Sequence, residues 1–166
     1  VLEAPDGLTA EDKRIAARVV DAGRGLVVAA NKWDLVEEKD RTFKEIGQEL
    51  APFARAPAMR TSAKTGTGVR RLPAELLRVH DRWTRRASTA VVNEVLRAAV
   101  GERPPPRGAH YRYATQVSSG PPTFVLFGGR APDPPYERFL QNRLRRAFEL
   151  DGVPIRLRFR PQAAKR

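Results

Sequence analysis

Hydrophobic positions in the first half of the chain fall into short continuous runs separated by stretches at helical spacing. Val1-Leu2-Glu3-Ala4 is a short strand, and Thr9 with Asp12 forms a helix capping pair. The helix that follows runs to about Asp21, turns Ile15, Val19 and Val20 inward, and ends at Gly23. Leu26-Val27-Val28-Ala29-Ala30 is apolar without a break, the mark of a strand buried on both faces of a parallel sheet. A polar helix over 39–51 and a short strand over 58–61 come next. Val69, Leu72, Leu76, Val79 and Trp83 then recur at helical spacing, with Pro73 near the helix start where it costs least. Alternation of strand and helix predicts a three-layer α/β unit over 1–86.

The pattern changes after Ala87. Residues 104–135 hold eight of the 14 prolines. Thr89–Val100 reads as a helix with Val92, Val95, Leu96 and Ala99 on one face, stopped by Pro104-Pro105-Pro106. His110–Val117 and Thr123–Phe127 read as a hairpin around Ser118-Ser119-Gly120-Pro121-Pro122. By alternation at most one of Phe124 and Phe127 is core. A helix over Pro135–Leu150 turns Tyr136, Phe139, Leu140, Leu144, Ala147 and Phe148 inward. In Val153–Arg160, Ile155, Leu157 and Phe159 alternate with Arg156, Arg158 and Arg160, one face core and the other guanidinium. The order α-β-β-α-β predicts a small α+β domain over 87–161, followed by a basic tail at 162–166.

Charge sharpens this division. The 166 residues carry a formal charge of +12. Residues 1–86 hold 17 Lys and Arg against 13 Asp and Glu; residues 87–166 hold 14 against 6, and 13 of those 14 are Arg. Guanidinium groups bond phosphate bidentately and stack on bases, which suits RNA; an even scatter of solvated arginine is the plainer reading. The absence of cysteine removes disulfides, thiolate metal sites and a cysteine nucleophile. No apolar run is long enough to span a membrane, and a reducing, cytoplasmic setting is expected. His80 reads as surface or packing, and His110 has no partner cluster, so no metal is expected. Trp33, Tyr111 and Tyr113 read as packing, with base stacking the alternative for the tyrosines.

Candidate chemistry sits at two strand ends, where ligands of open α/β sheets bind. After the apolar run comes Asn31-Lys32-Trp33-Asp34; after the next strand comes Ser62-Ala63-Lys64. The Asp34 carboxylate can accept both N–H groups of a guanine edge, which adenine does not offer. Asn31 can bond the base and brace the neighbouring loop. The stems of Lys32 and Lys64 can cover the ring faces, and the backbone N–H groups of Ser62-Ala63-Lys64 can reach the guanine carbonyl.

These motifs, with Tyr113-Ala114-Thr115-Gln116-Val117, Pro121-Pro122-Thr123-Phe124-Val125-Leu126-Phe127 and Pro154-Ile155-Arg156-Leu157, resemble the Der (EngA) family of bacterial GTPases. The resemblance covers nearly the whole chain. It implies the C-terminal half of a P-loop-type G domain, here three parallel strands with helices, followed by a KH-like domain. It further implies GTP or GDP as ligand, large-subunit ribosome assembly as the process, and ribosomal RNA as partner of a monomer. Arg112, Arg143, Arg145, Arg146, Arg156, Arg158 and Arg160 are the RNA-contact candidates.

The departures from the family pattern set further expectations. None of the 12 glycines precedes a lysine, so the chain holds no Gly-x-x-x-x-Gly-Lys-Ser/Thr loop for phosphate. In the family that loop, and the residues that hold Mg²⁺, would come before Val1. This chain alone is expected to bind nucleotide weakly and not to hydrolyse it. No residue here is a candidate catalyst. Its strands correspond to the fourth, fifth and sixth of a sheet ordered 2-3-1-4-5-6, so the first would be an exposed edge and the isolated piece of low stability. The second domain lacks Gly-x-x-Gly, the KH loop that clamps RNA backbone. A non-enzymatic RNA-binding or ribosome-binding module with a degenerate guanine pocket is the alternative.

Overall fold

A computed structural model describes residues 1–106 and 109–161; the basic tail at 162–166 lies outside the described residues. The chain divides into two compact units, Val1–Trp83 with Asp151–Pro154, and Thr84–Leu150 with the residues from Ile155 onward.

The first unit alternates strand and helix. It contains β1 (Leu2–Glu3), α1 (Ala10–Asp21), β2 (Val28–Asn31), α2 (Lys39–Leu50), β3 (Ala58–Arg60) and α3 (Leu72–Thr84). The sheet order is β1-β2-β3, all parallel, with Leu2 beside Ala30 and Val28 beside Ala58. Val28, Ala29 and Ala30 are all buried, as their unbroken apolar run requires. Helix α1 opens with a full capping box: Asp12 N–H donates to Thr9 Oγ1 at 3.2 Å, and Thr9 N–H donates to Asp12 Oδ2 at 3.0 Å. The main core joins Leu2, Val28, Ala30, Trp33, Val36, Ile46 and Leu50. Gly152 belongs to this unit: Leu26 N–H donates to its carbonyl at 2.8 Å, and its own N–H donates to Ala54 O at 2.9 Å.

Two helical faces depart from the periodic expectation. In α1 the residue turned onto the sheet is Ala16, while Ile15 is 51% exposed and Val19 and Val20 are half-buried. In α3, Val79 is buried, but Leu76 is 56% exposed and Leu77 64%. Spacing marks an apolar stripe; only the elements packed against it decide how much of the stripe is covered. Trp83 is fixed by its Nε1–H, which donates to Gly23 O at 2.7 Å.

The second unit contains α4 (Thr89–Glu102), β4 (Tyr113–Ser118), β5 (Thr123–Phe127), α5 (Pro134–Ala147) and β6 (Arg156–Arg160). Its sheet order is β4-β5-β6, with the β4–β5 pair antiparallel and the β5–β6 pair parallel. Val92, Leu96 and Ala99 of α4 meet Ala114, Phe124 and Leu126 of the sheet and Leu140 and Leu144 of α5. Phe124 is the core phenylalanine and Phe127 is half-buried. Helix α5 stops at Ala147, and Ala147 is exposed rather than inward. The alternation of β6 holds: all three arginines are exposed, with Leu157 and Phe159 half-buried between them.

Asn93 protects the outer edge of β4. Its Oδ1 accepts from Ala114 N–H at 2.9 Å, and its Nδ2 donates to Ala114 O at 2.9 Å and to Thr89 O at 2.7 Å. One side-chain amide thereby stands in for a neighbouring strand at a buried residue. Asn93→Ala is expected to destabilise the second unit by about 2–4 kcal/mol, since each buried group left unpaired costs roughly 1–3. Chemical denaturation monitored at the amides of 113–127 checks this.

Candidate guanine-recognition site and basic surface

The ends of β2 and β3 bring the two polar motifs together. Thr61 N–H donates to Ala30 O at 2.9 Å and Trp33 N–H to Thr61 O at 3.0 Å, carrying the ladder one step past the strands. Lys32 takes the left-handed conformation (φ 57°, ψ 35°), which turns the chain into a short 3₁₀ segment over Trp33–Leu35. Such a conformation in a non-glycine residue needs support from its surroundings. Trp33 supplies it, being 6% exposed and packed edge-on against Phe43 at 5.9 Å.

Two side chains couple the motifs. Asn31 Oδ1 accepts from Ala63 N–H at 3.0 Å, so Asn31 braces the second loop. Ser62, 1% exposed, donates its hydroxyl to Asp34 Oδ1 at 2.5 Å and accepts from Thr65 N–H at 3.2 Å. The carboxyl of Asp34 is held below the ordinary aspartate value, chiefly by the Ser62 hydroxyl, with its own backbone N–H and the charge of Lys64 adding to this and desolvation opposing. It is therefore an ionised acceptor at neutral pH. Ser62 occupies one of its roughly four acceptor positions and leaves capacity for a second donor pair.

Because the folded value is depressed, the Ser62–Asp34 bond favours the fold above the unfolded pKa and is lost as pH falls through the lower folded value. Ser62→Ala is expected to raise the Asp34 pKa toward an ordinary aspartate. Carboxyl titration by NMR reads the shift; an unmoved pKa would contradict the role given to Ser62.

The remaining site residues lie at the surface. Lys32 Nζ pairs with Glu3 at 2.7 Å, an exposed pair worth less than about 1 kcal/mol and easily exchanged for a ligand. Ala63 and Lys64 are exposed, and the Lys64 N–H meets no acceptor among the described residues. An ionised acceptor at Asp34 and a donor at Lys64 suit a base edge carrying two donors and one carbonyl. Arg60 was not legible as part of this site. Its guanidinium lies 4.4 Å from the Phe43 ring centroid and 5.3 Å from that of Trp33, and pairs with Asp40 at 3.1 Å. It thus clamps the tryptophan under the Asn31–Asp34 turn, through a tertiary contact that no local spacing announces.

The seven arginine candidates separate on burial. Arg112, Arg146, Arg156, Arg158 and Arg160 are exposed. Arg143 is half-buried and pairs with Glu102 at 2.8 Å. Arg145 is 7% exposed and donates to Leu150 O, so it clasps the end of α5 and offers no contact surface. Helical residues one position apart point in different directions, which separates Arg145 from Arg146. The tyrosines separate as well. Tyr111 is buried, donates to Arg130 O at 2.6 Å, and has its hydroxyl pushed up to about 12, chiefly by burial. Tyr113 is 46% exposed, against the packing expectation.

A parallel α/β unit with Asn-Lys-x-Asp and Ser-Ala-Lys at adjacent strand ends, joined to an α-β-β-α-β unit, defines the class: a G-domain-type α/β fragment with a KH-like domain. Residues 86–160 match the family model described as the KH-domain-like domain of EngA bacterial GTPase enzymes, C-terminal. GTPase Der of Mycobacterium avium is 41% identical over 166 residues, covering 96% of this chain and 36% of that protein. GTPase Der of Cereibacter sphaeroides is 45% identical over 165 residues, covering 93% and 34%. GTPase Der of Lacticaseibacillus casei is 40% identical over 170 residues, covering 95% and 38%. The chain is similar to the Der (EngA) proteins over nearly its whole length and spans about a third of the length of the curated relatives it matches. Among the described residues no helix is long and apolar enough to cross a membrane.

Proposed function

We propose that residues 1–86 form the guanine-reading half of a GTP-binding GTPase and residues 87–161 its RNA-contacting KH-like domain, acting in assembly of the large ribosomal subunit. The observation that carries the nucleotide part is the Asn31–Ala63 and Asp34–Ser62 pair of bonds, which holds an ionised carboxylate and braces the loop that carries the unbonded Lys64 N–H. Asp34 accepts from guanine N1–H and the exocyclic amine, Lys64 N–H donates to the guanine carbonyl, and the stems of Lys32 and Lys64 cover the ring. Ligand NMR of the 166-residue chain is expected to show contact with GDP and none with ADP at the same concentration. Equal contact by ADP would overturn the assignment.

No glycine of the 166 precedes a lysine, so this sequence has no P-loop to cradle the phosphates of a nucleotide. That favours weak binding and no phosphate release from GTP by this chain, and it is the observation behind a second reading, a non-enzymatic RNA-binding module. RNA binding that is indifferent to guanine nucleotide would favour the second reading.

A further inference from the structure

The geometry points to a single-stranded RNA platform on the solvent face of the second sheet, with one base stacked on Tyr113 and successive phosphates held by Arg160 and Arg158. This inference rests on the RNA-contact reading above and gives it a surface and a strand form. The register places Tyr113 opposite Phe127 and Phe127 opposite Arg160. Cross-strand partners share a face, so these three form one row across the sheet, and Thr115, Val125 and Arg158 form the next, in which Val125 is buried and Arg158 exposed. The helices cover the opposite face, where Ala114, Phe124 and Leu126 lie.

Three features of this face fit one partner. Tyr113 keeps 46% of its surface in water, with its ring tilted at 45° against Phe127 at 5.6 Å. Phe127 therefore props the ring without enclosing it. Arg158 and Arg160 are exposed and form no ion pair among the described residues, whereas Arg143 is neutralised by Glu102. The strands Tyr113–Ser118, Thr123–Phe127 and Arg156–Arg160 contain no Asp or Glu, so no carboxylate of the sheet itself offsets Arg158 and Arg160. Alternate residues of a strand stand about 6.6 Å apart, close to the step between phosphates of an extended nucleotide chain. β6 lies at the end of the sheet, where a strand can run beside it. An aromatic ring beside a track of guanidinium groups is how single strands are held without reading sequence. A duplex keeps its bases stacked within itself and cannot use the ring. An acidic protein segment would meet the arginines but gain nothing from Tyr113.

The test is fluorescence anisotropy of the 166-residue chain with a labelled eight-nucleotide single strand, an RNA duplex and an oligoglutamate peptide. The single strand is expected to bind tightest. Tyr113→Ala should weaken it about 5- to 150-fold, the range of one stacked base, while leaving the salt slope unchanged, and Tyr113→Phe should retain most of the affinity. Arg158→Ala and Arg160→Ala should each lower the salt slope by about 0.7. Melting temperatures of the variants separate lost contacts from lost folding. Equal binding of the duplex or the peptide would overturn the inference. So would single-strand affinity that survives Tyr113→Ala and falls with Arg112→Ala or Arg146→Ala, a result that leaves the RNA-contact reading standing. Absence of binding to either RNA would overturn both.

Discussion

Asp34→Asn is expected to move base preference from guanine to xanthine. In the proposed site the carboxylate offers two acceptors, which match the N1–H and exocyclic amine of guanine. An amide presents one acceptor and one donor, which match the N1–H and the 2-carbonyl of xanthine. With guanine the donor of the substituted amide would face the exocyclic amine, two donors with no acceptor between them. A site built on hydrogen bonds can reject such a mismatch by about 10⁴–10⁵-fold. The Ser62 hydroxyl that donates to Oδ1 at 2.5 Å can donate equally to an amide oxygen, so the loop should keep its shape. Competition of guanosine and xanthosine diphosphates, in a chain that adds a phosphate loop to these residues, measures the ratio. An unchanged ratio would remove Asp34 from base recognition.

Gly68→Ala is expected to have the largest effect on the stability of the first unit. Gly68 has φ +73°, and a Cβ there would lie 2.1 Å from the carbonyl oxygen of Arg60 and 3.2 Å from its carbonyl carbon. Both are backbone atoms at the end of β3, so the loop from Thr61 to Gly68 must move as a whole. The left-handed conformation alone costs an L residue about 1–2 kcal/mol; with the clash we expect about 3–5, in the range reserved for strained special positions. Displacement of this loop would also separate Ser62 from Asp34 and Ala63 from Asn31. Gly66→Ala is the internal control. Gly66 has φ +78° but nothing within 4 Å of its would-be Cβ, so only the conformational cost applies. Urea unfolding of the two variants should therefore differ by at least about 1 kcal/mol; equal losses would remove the Arg60 clash from the explanation.

Much of the candidate guanine-recognition edge was legible because its parts are local. Asn31-Lys32-Trp33-Asp34 and Ser62-Ala63-Lys64 each follow an apolar strand, and parallel pairing of β2 with β3 brings consecutive strand ends side by side. The bracing role of Asn31 also followed from residue type and position. Arg60 was invisible, because its value lies in two rings carried by the turn after β2 and by α2. The arginines read alike in sequence, and burial removed Arg145 while an acidic partner occupied Arg143. Tyr111 and Tyr113 likewise shared one reading, although they are two positions apart. Tyr111 packs against the rings of Tyr136 and Phe159, whereas Tyr113 has Phe127 at its side and solvent beyond.

Periodicity, capping residues and turn residues act over a few neighbours, so the sequence by itself determined the order of elements, the capping box at Thr9, the alternating face of β6 and the two motif-bearing strand ends. Coverage is a property of distant partners. Tertiary packing alone decided that Ala16 rather than Ile15 faces the first sheet, that Leu76 stays in water, that Asn93 closes the edge of β4, and that Tyr113, Phe127 and Arg160 share one row across the second sheet. An apolar or charged side chain carries its chemistry everywhere, but whether water, a core or a counter-charge meets it depends on which element the fold brings alongside.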